Sequence, residues 1–340
     1  MLACLLKEHG GVVLENLPPP KVGLGDVLVR LKAAGICGTD LEKIHGGYGP
    51  GGILGHEVSG QIEQVGEEVR GFTKGDRVVP HHHVPCYGCH LCQRGDHTMC
   101  DSFKKTNFDP CGLAEYFRVP EYNVTRGAVT KLPDSVSFEE AALLEPTACC
   151  LRALNVARPH RGDSVLIAGL GPVGLTHIQL LRSIGTGPLF GSDVRKVRLD
   201  AAKSMGAQRT FNPAEEDVAK GVKAETGDGA DFAIVSTGNP QALSQAVSAV
   251  RKGGKVLLFG APPKGSTLPL AINTFFADQK SIITSYSCTE AEIRATLSLL
   301  TLRKIDLRPL ITHRFQLKET LEALDFASSS AEAVKTMILV

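Results

Sequence analysis

Tryptophan is missing from this 340-residue sequence, and aromatic residues make up only 5% of it. Charge of one sign is lacking as well: 37 Lys+Arg face 36 Asp+Glu, a net of +1, with no block of like charges. Such a balance gives no electrostatic pull toward nucleic acid or an anionic membrane surface. Long hydrophobic runs are absent too, and none reaches the ~18 residues of a membrane span. The opening residues 1–6 carry no basic flank and run into Lys7-Glu8-His9. They read as a first strand rather than a leader, so the expected location is the cytoplasm. Neither a low-complexity linker nor a repeat of solenoid period interrupts the chain. Fibrous, membrane-spanning and nucleic-acid-coating roles are therefore disfavoured.

Glycine and cysteine, by contrast, are plentiful. The 36 glycines exceed the average usage of about 7% and imply many tight turns. A chain this long buries a large core without staples, so its ten cysteines read as thiols and metal ligands rather than a disulfide framework. At roughly 150 residues per domain, two domains are expected. Residues 1 to about 150 break into short β-rich pieces such as 27–32, 58–65 and 77–80, bounded by turn residues. From residue 162 the texture changes. Strands at 164–168, 188–193, 231–235, 255–259 and 281–284 alternate with helices at 173–184, 195–205, 214–225 and 240–250. That alternation predicts an α/β fold with a parallel, doubly wound sheet. Helices near 290–300 and 317–327 and a strand at 333–340 close the chain.

One turn carries chemistry. Gly169-Leu170-Gly171-Pro172-Val173-Gly174 follows a strand and opens a helix. In that setting the first glycine makes the turn and the second lets a pyrophosphate approach the backbone. The third lets helix and strand pack closely, with the helix N-terminus facing the phosphates. Asp193 stands at the end of the next strand, 19 residues past Gly174. A carboxylate there accepts hydrogen bonds from the adenosine ribose and repels a 2′-phosphate, which favours NAD over NADP. Arg195, Lys196 and Arg198 follow closely, and an arginine can accommodate that phosphate.

Cys86, Cys89, Cys92 and Cys100 have the spacing Cys-x2-Cys-x2-Cys-x7-Cys. Four thiolates closing on one ion suit a tetrahedral, structural zinc. An iron–sulfur cluster uses the same number of thiolates, and a nucleic-acid-binding zinc ribbon is a further rival. The ribbon needs a basic, aromatic surround, whereas Arg94 is the one basic side chain other than histidine between the ligands. The run His81-His82-His83 just before the lobe reads as a surface turn rather than a metal site.

Two more segments, Gly35-Ile36-Cys37-Gly38-Thr39-Asp40 and Gly55-His56-Glu57, complete an ordered series with the cysteine lobe and the glycine turn. In that order the four motifs resemble the zinc-dependent medium-chain dehydrogenase/reductase family over essentially the whole chain. The resemblance implies a GroES-like β-barrel catalytic domain (1–150, with a structural zinc lobe at about 86–100). A Rossmann dinucleotide-binding domain (151–287) and a C-terminal segment (288–340) that rejoins the first domain would follow. One catalytic and one structural zinc per chain are expected.

Carried over motif by motif, Cys37 and His56 match the first two catalytic zinc ligands, and Glu57 matches the carboxylate that ligates or hovers over the ion. Glu145, in Glu145-Pro146-Thr147, stands where liver-type alcohol dehydrogenases have a cysteine ligand. That substitution resembles the sorbitol, polyol and sugar dehydrogenase branch, in which the glutamate binds zinc directly or through water. Asp40 matches the carboxylate that orients the ligating histidine. Thr39 is placed to take the hydroxyl proton. The family's relay usually ends in a histidine five residues past the cysteine; here Glu42 stands there, with His45 three further on, and either can finish the relay, direct release to water being the alternative. Tyr48 is a substrate-contact candidate, while Thr237 and Gly260 fall where relatives pass close to the cofactor. Cys149 and Cys150 are expected to pack near the nicotinamide, and Cys4, Cys111 and Cys288 to be core or surface thiols.

The expected activity is zinc-assisted hydride transfer from a secondary alcohol, a polyol, sugar or related compound, to NAD. Threonine 3-dehydrogenase-like and simple alcohol dehydrogenase activities are the alternatives, because pocket walls rather than metal ligands set the substrate. A non-catalytic dinucleotide-binding protein that kept only the structural zinc is the rival of a different class. A homotetramer is expected by analogy with relatives of this length, with a dimer as the alternative.

Overall fold

The computed structural model describes residues 1–7, 11–46 and 53–340; the expectation for Tyr48 lies outside them. Its strands in chain order are β1 (Leu2–Leu6), β2 (Val12–Asn16), β3 (Val27–Gly35), β4 (Glu57–Val65), β5 (Arg77–Pro80), β6 (Tyr116–Val119) and β7 (Val129–Lys131). They continue with β8 (Val165–Ala168), β9 (Leu189–Ser192), β10 (Arg209–Phe211), β11 (Ala230–Val235), β12 (Val250–Leu258) and β13 (Ser281–Thr284). The last two are β14 (Ile311–Gln316) and β15 (Lys335–Leu339). No described helix is long and apolar enough to cross a membrane.

The chain divides into two compact units. The first comprises Met1–Ala148, Cys288–Arg303 and Leu307–Val340, and the second Cys149–Ser287 and Lys304–Asp306.

In the first unit a seven-stranded sheet runs β14-β15-β3-β4-β5-β7, with β6 also paired to β3. Its core gathers the alternating apolar residues of these strands, among them Val27, Val29, Leu31, Val58, Ile62, Val78, Phe117 and Ile338, all buried. Burying each such side chain contributes about 1.5–3 kcal/mol relative to leaving it exposed. The register matters more for function. Gly35, the last residue of β3, pairs with Glu57 on one side and Met337 on the other. The chain segments leading to Cys37, His56 and Lys335 are thereby gathered at one end of the sheet. A Cβ at Gly35 would stand 2.2 Å from Glu57 Oε2 and 2.8 Å from Lys335 Cε, so only glycine fits there.

The second unit is a wholly parallel six-stranded sheet in the order β10-β9-β8-β11-β12-β13. Strand order reverses beside β8, which carries the glycine turn at its C-terminal end. Such a switch point is where open α/β sheets bind ligands. Several details depart from the sequence expectation, among them an unforeseen helix Ile272–Ala277 and a β12 that begins at Val250 rather than near 255. Strand β10 is unforeseen, because three residues at a sheet edge carry no periodicity. The helix expected from residue 214 begins at Val218, where the Asp217 side chain accepts the amide of Lys220 and sets the N-cap.

Candidate active site and metal centres

The helix Gly38–Ile44 starts directly after Cys37, and its first turn carries the buried Asp40. Asp40 ties three segments together. Its Oδ2 accepts the Cys37 amide at 3.2 Å, its Oδ1 accepts the Gly55 amide at 3.0 Å, and the same Oδ1 lies 3.4 Å from His56 Nδ1. The ligand atoms of Cys37, His56 and Glu57 all lie within 4.8 Å of one another. Thiolate, imidazole and carboxylate form a donor set that suits zinc. Burial disfavours a charged His56 ring, but Asp40 and the Cys37 sulfur outweigh it and hold the ring's pKa well above the ordinary value. Exchanging Asp40 for asparagine should weaken metal retention at this centre by about 10–100-fold, the usual cost of losing an outer partner. Competition with a chelator measures it; an unchanged affinity would remove Asp40 from the positioning role.

Lys335 is a residue that sequence reasoning missed. Its Nζ forms a buried ion pair with Glu57 Oε2 and donates to the Ile36 carbonyl at 2.9 Å. Burial works against its charge, yet Glu57, with Cys37 and Asp40 beyond, raises its pKa above the ordinary lysine value. Nothing in the local sequence around residue 335 marks it. Its role follows from the pairing of β15 with β3.

Thr39 is half-buried, whereas Glu42, one turn along the same helix, is exposed. His45 is exposed too, with Nδ1 2.7 Å from the Leu41 carbonyl. Among the described residues, His56 and Glu57 close on Cys37. The carboxylate of Glu145 closes on His81 and Cys288.

The histidine run is not a surface turn. His81 and His82 are buried, 1% and 7% exposed. Their backbone carbonyls accept the Asn123 side chain, and the His82 ring lies 5.0 Å from that of His56. Burial keeps His82 neutral, far below its ordinary pKa, and the surrounding histidines add to the effect. Cys4 and Cys111 are core thiols as expected, pushed up to about 12 chiefly by burial.

The four-cysteine lobe is closed. Cys89 Sγ lies 3.6 Å from Cys92 Sγ and 3.8 Å from Cys100 Sγ, and Cys86 Sγ lies 4.0 Å from Cys92 Sγ. Zinc–sulfur bonds of about 2.3 Å at tetrahedral angles would set these edges at about 3.8 Å. Amides of Gly88 and Cys89 pull the Cys86 thiol below its usual value. Burial opposes ionisation of Cys100, but the Cys86 and Ser102 amides outweigh it and bring that thiol to about 6. The lobe is built for a thiolate-bound ion.

In the second unit Gly169 has φ +92°, and a Cβ on Gly174 would lie 2.0 Å from the Gly169 carbonyl oxygen. Gly171 is different: a Cβ there would meet only the Arg198 guanidinium, at 3.7 Å. It is followed by Pro172 and Val173 in the first turn of the helix Pro172–Ile184. The open approach at Gly171 and the closed packing at Gly174 are what a pyrophosphate cradle requires. Asp193 accepts the Leu170 amide at 2.8 Å and the Arg195 amide at 2.9 Å, and Arg198 Nη1 lies 3.6 Å from it. Gly260 sits against the backbone of Thr237, where a Cβ would come within 2.4 Å of the Thr237 carbonyl carbon.

Comparison with known proteins fits this geometry. Residues 23–134 match the alcohol dehydrogenase GroES-like domain, and residues 172–301 match the zinc-binding dehydrogenase family. A sorbitol dehydrogenase of Bacillus subtilis (strain 168) is 32% identical over 99% of this chain and 97% of its own. The chain belongs to the zinc-dependent medium-chain dehydrogenase/reductase family. Within it the chain sits in the polyol-dehydrogenase-like branch and is an oxidoreductase with a GroES-like domain and a Rossmann domain. An L-threonine 3-dehydrogenase of Pyrococcus horikoshii is 35% identical over 93% of this chain and 92% of its own. The solved alcohol dehydrogenase of Thermus sp. ATN1 superposes with a TM-score of 0.89 at 30% identity, covering 100% of both chains. All three comparisons run the length of the medium-chain dehydrogenase fold.

Proposed function

We propose that this dehydrogenase oxidises a secondary hydroxyl of a polyol or sugar to a ketone, passing hydride to NAD and releasing one proton. The observation that carries the reading is the Cys37–His56–Glu57 donor group, backed by Asp40, in a chain that also holds an open pyrophosphate turn. Cys37, His56 and Glu57 would hold the catalytic zinc, and Cys86, Cys89, Cys92 and Cys100 the structural one. When bound, the catalytic ion supplies Lewis acidity that lowers the pKa of the substrate hydroxyl, and the nicotinamide supplies the hydride acceptor.

The chain's own residues do the rest. Asp40 fixes the orientation of His56, and Lys335 holds Glu57. Thr39 accepts the hydroxyl proton, which leaves through the exposed end of its helix. With Nδ1–H donated to Leu41, His45 has Nε2 left as the accepting atom, which supports His45 over Glu42 as the end of the relay. His45→Gln should lower kcat/KM, with added imidazole restoring it, while Glu42→Gln should leave kcat/KM unchanged. The opposite pattern would assign the relay to Glu42. Asp193, beside the glycine turn, would meet the adenosine ribose and disfavour a 2′-phosphate, which supports NAD. A homotetramer working in the cytoplasm completes the reading; sedimentation would distinguish it from a dimer.

A second substrate class, an amino alcohol of the threonine type, is favoured by the 35% identity to the Pyrococcus enzyme. Formation of reduced nicotinamide with polyols, sugars, amino alcohols and simple alcohols, run with NAD and with NADP, tests both. Turnover of a polyol or sugar with NAD supports the proposal, and turnover confined to L-threonine replaces it with the second reading. Silence across the panel in zinc-loaded protein would overturn both.

A further inference from the structure

Outside the Cys37 centre, three chemistry-bearing side chains meet in the interior of the first unit. His81 follows β5, Glu145 lies in the first turn of the helix Leu144–Ala157, and Cys288 precedes the helix Glu290–Thr301. Their ligand atoms lie within 4.8 Å of one another, and they are 1%, 6% and 0% exposed. His81 Nε2 stands 3.6 Å from Cys288 Sγ. Zinc–sulfur and zinc–nitrogen bonds of about 2.3 and 2.0–2.1 Å meeting at a tetrahedral angle would set that separation at about 3.6 Å.

The far side of the imidazole is also arranged. His81 Nδ1 lies 2.9 Å from Glu290 Oε1, and the other oxygen of Glu290 accepts the Tyr87 hydroxyl. With Nδ1–H donated to a carboxylate, the neutral ring would present its Nε2 lone pair to the sulfur. A carboxylate behind the ring is the usual companion of a metal-binding histidine. It repeats the relation of Asp40 to His56 on a separate set of residues. A thiolate and the carboxylates of Glu145 and Glu290 around a neutral imidazole carry three negative charges, so a divalent ion offsets two of them, which lowers the cost of burying the cluster.

We propose that His81, Glu145 and Cys288 form a further divalent-metal site, of zinc type, distinct from the Cys37 centre and from the four-cysteine lobe. Fully loaded, the chain would then hold three zinc ions where the family pattern supplies two.

The test counts metal. Zinc per chain would be measured by elemental analysis on full-length wild type and on Cys288→Ala, Cys37→Ala and His81→Gln, each loaded with zinc and freed of excess. The expected result is three equivalents in wild type and two in each variant. Cobalt-loaded wild type should show a thiolate-to-cobalt absorption band that Cys288→Ala reduces by one thiolate's share. Two equivalents in wild type that stay at two in Cys288→Ala would overturn the site and leave His81–Cys288 as a buried hydrogen bond. That same result, with Glu145→Gln losing an ion together with Cys37→Ala, would give Glu145 to the Cys37 centre. Three equivalents unchanged by Cys288→Ala would also overturn it. His81→Gln guards against misfolding of the cysteine variant. The dehydrogenase reading fails separately, by silence in the substrate panel, whatever the metal count.

Discussion

Replacing Cys37 by alanine is expected to lower kcat/KM by about 10³-fold or more and to remove one zinc equivalent per chain, with little change in folding stability. A Lewis acid at the reacting oxygen supplies several kcal/mol, and each 1.36 kcal/mol is tenfold in rate. The fold should tolerate the change. The Cys37 amide is anchored to Asp40 rather than through its own sulfur, and Asp40 keeps its bond to the Gly55 amide. Removing the thiolate therefore takes away the proposed metal ligand and leaves the helix start in place. Dinucleotide affinity should also persist, because Gly169, Gly171, Gly174 and Asp193 belong to the other compact unit. The measurements are initial rates, zinc content and cofactor binding by fluorescence or calorimetry. Retention of activity within tenfold, with zinc intact, would remove Cys37 from the centre.

That separation explains how much was legible in the sequence. The glycine turn, Asp193 and the four cysteines are local patterns: each lies within one strand–turn–helix or one short lobe, so spacing alone specifies their geometry. Cys37, His56 and Asp40 were legible for a similar reason, because short motifs at the ends of adjacent strands carry them. Lys335 was not. It reaches Glu57 only through the pairing of Met337 with Gly35 and of Gly35 with Glu57, a register fixed by tertiary packing. The histidine run was visible but misread, since contiguous polar rings suggest a turn. The partner of His81 in the interior is Glu290, more than 200 residues away in sequence, and no local pattern announces it. Cys288 was a lone thiol in the sequence for the same reason. The edge strand β10 escaped notice because three residues cannot display a period.

The same long-range pairing yields the other large effect. Lys335→Met is expected to destabilise the protein by about 3–5 kcal/mol, the cost of removing one partner from a buried ion pair and leaving the other charge uncompensated. Glu57 is 1% exposed and Lys335 3% exposed, so water cannot replace the lost ammonium. Adding Glu57→Gln to Lys335→Met should recover most of the loss, because the orphaned charge is then gone. The pair also sets a pH dependence. Lys335 has its folded pKa raised above the ordinary 10.5. Its contribution is therefore fully present below that unfolded value and is lost as pH rises through the higher folded value. Wild type should lose this increment only on the strongly alkaline side, and Lys335→Met should lack that loss. Urea unfolding of the two variants and wild type, at neutral pH and above pH about 10.5, reads both effects. A single variant as stable as wild type would mean that Glu57 is compensated by something other than Lys335.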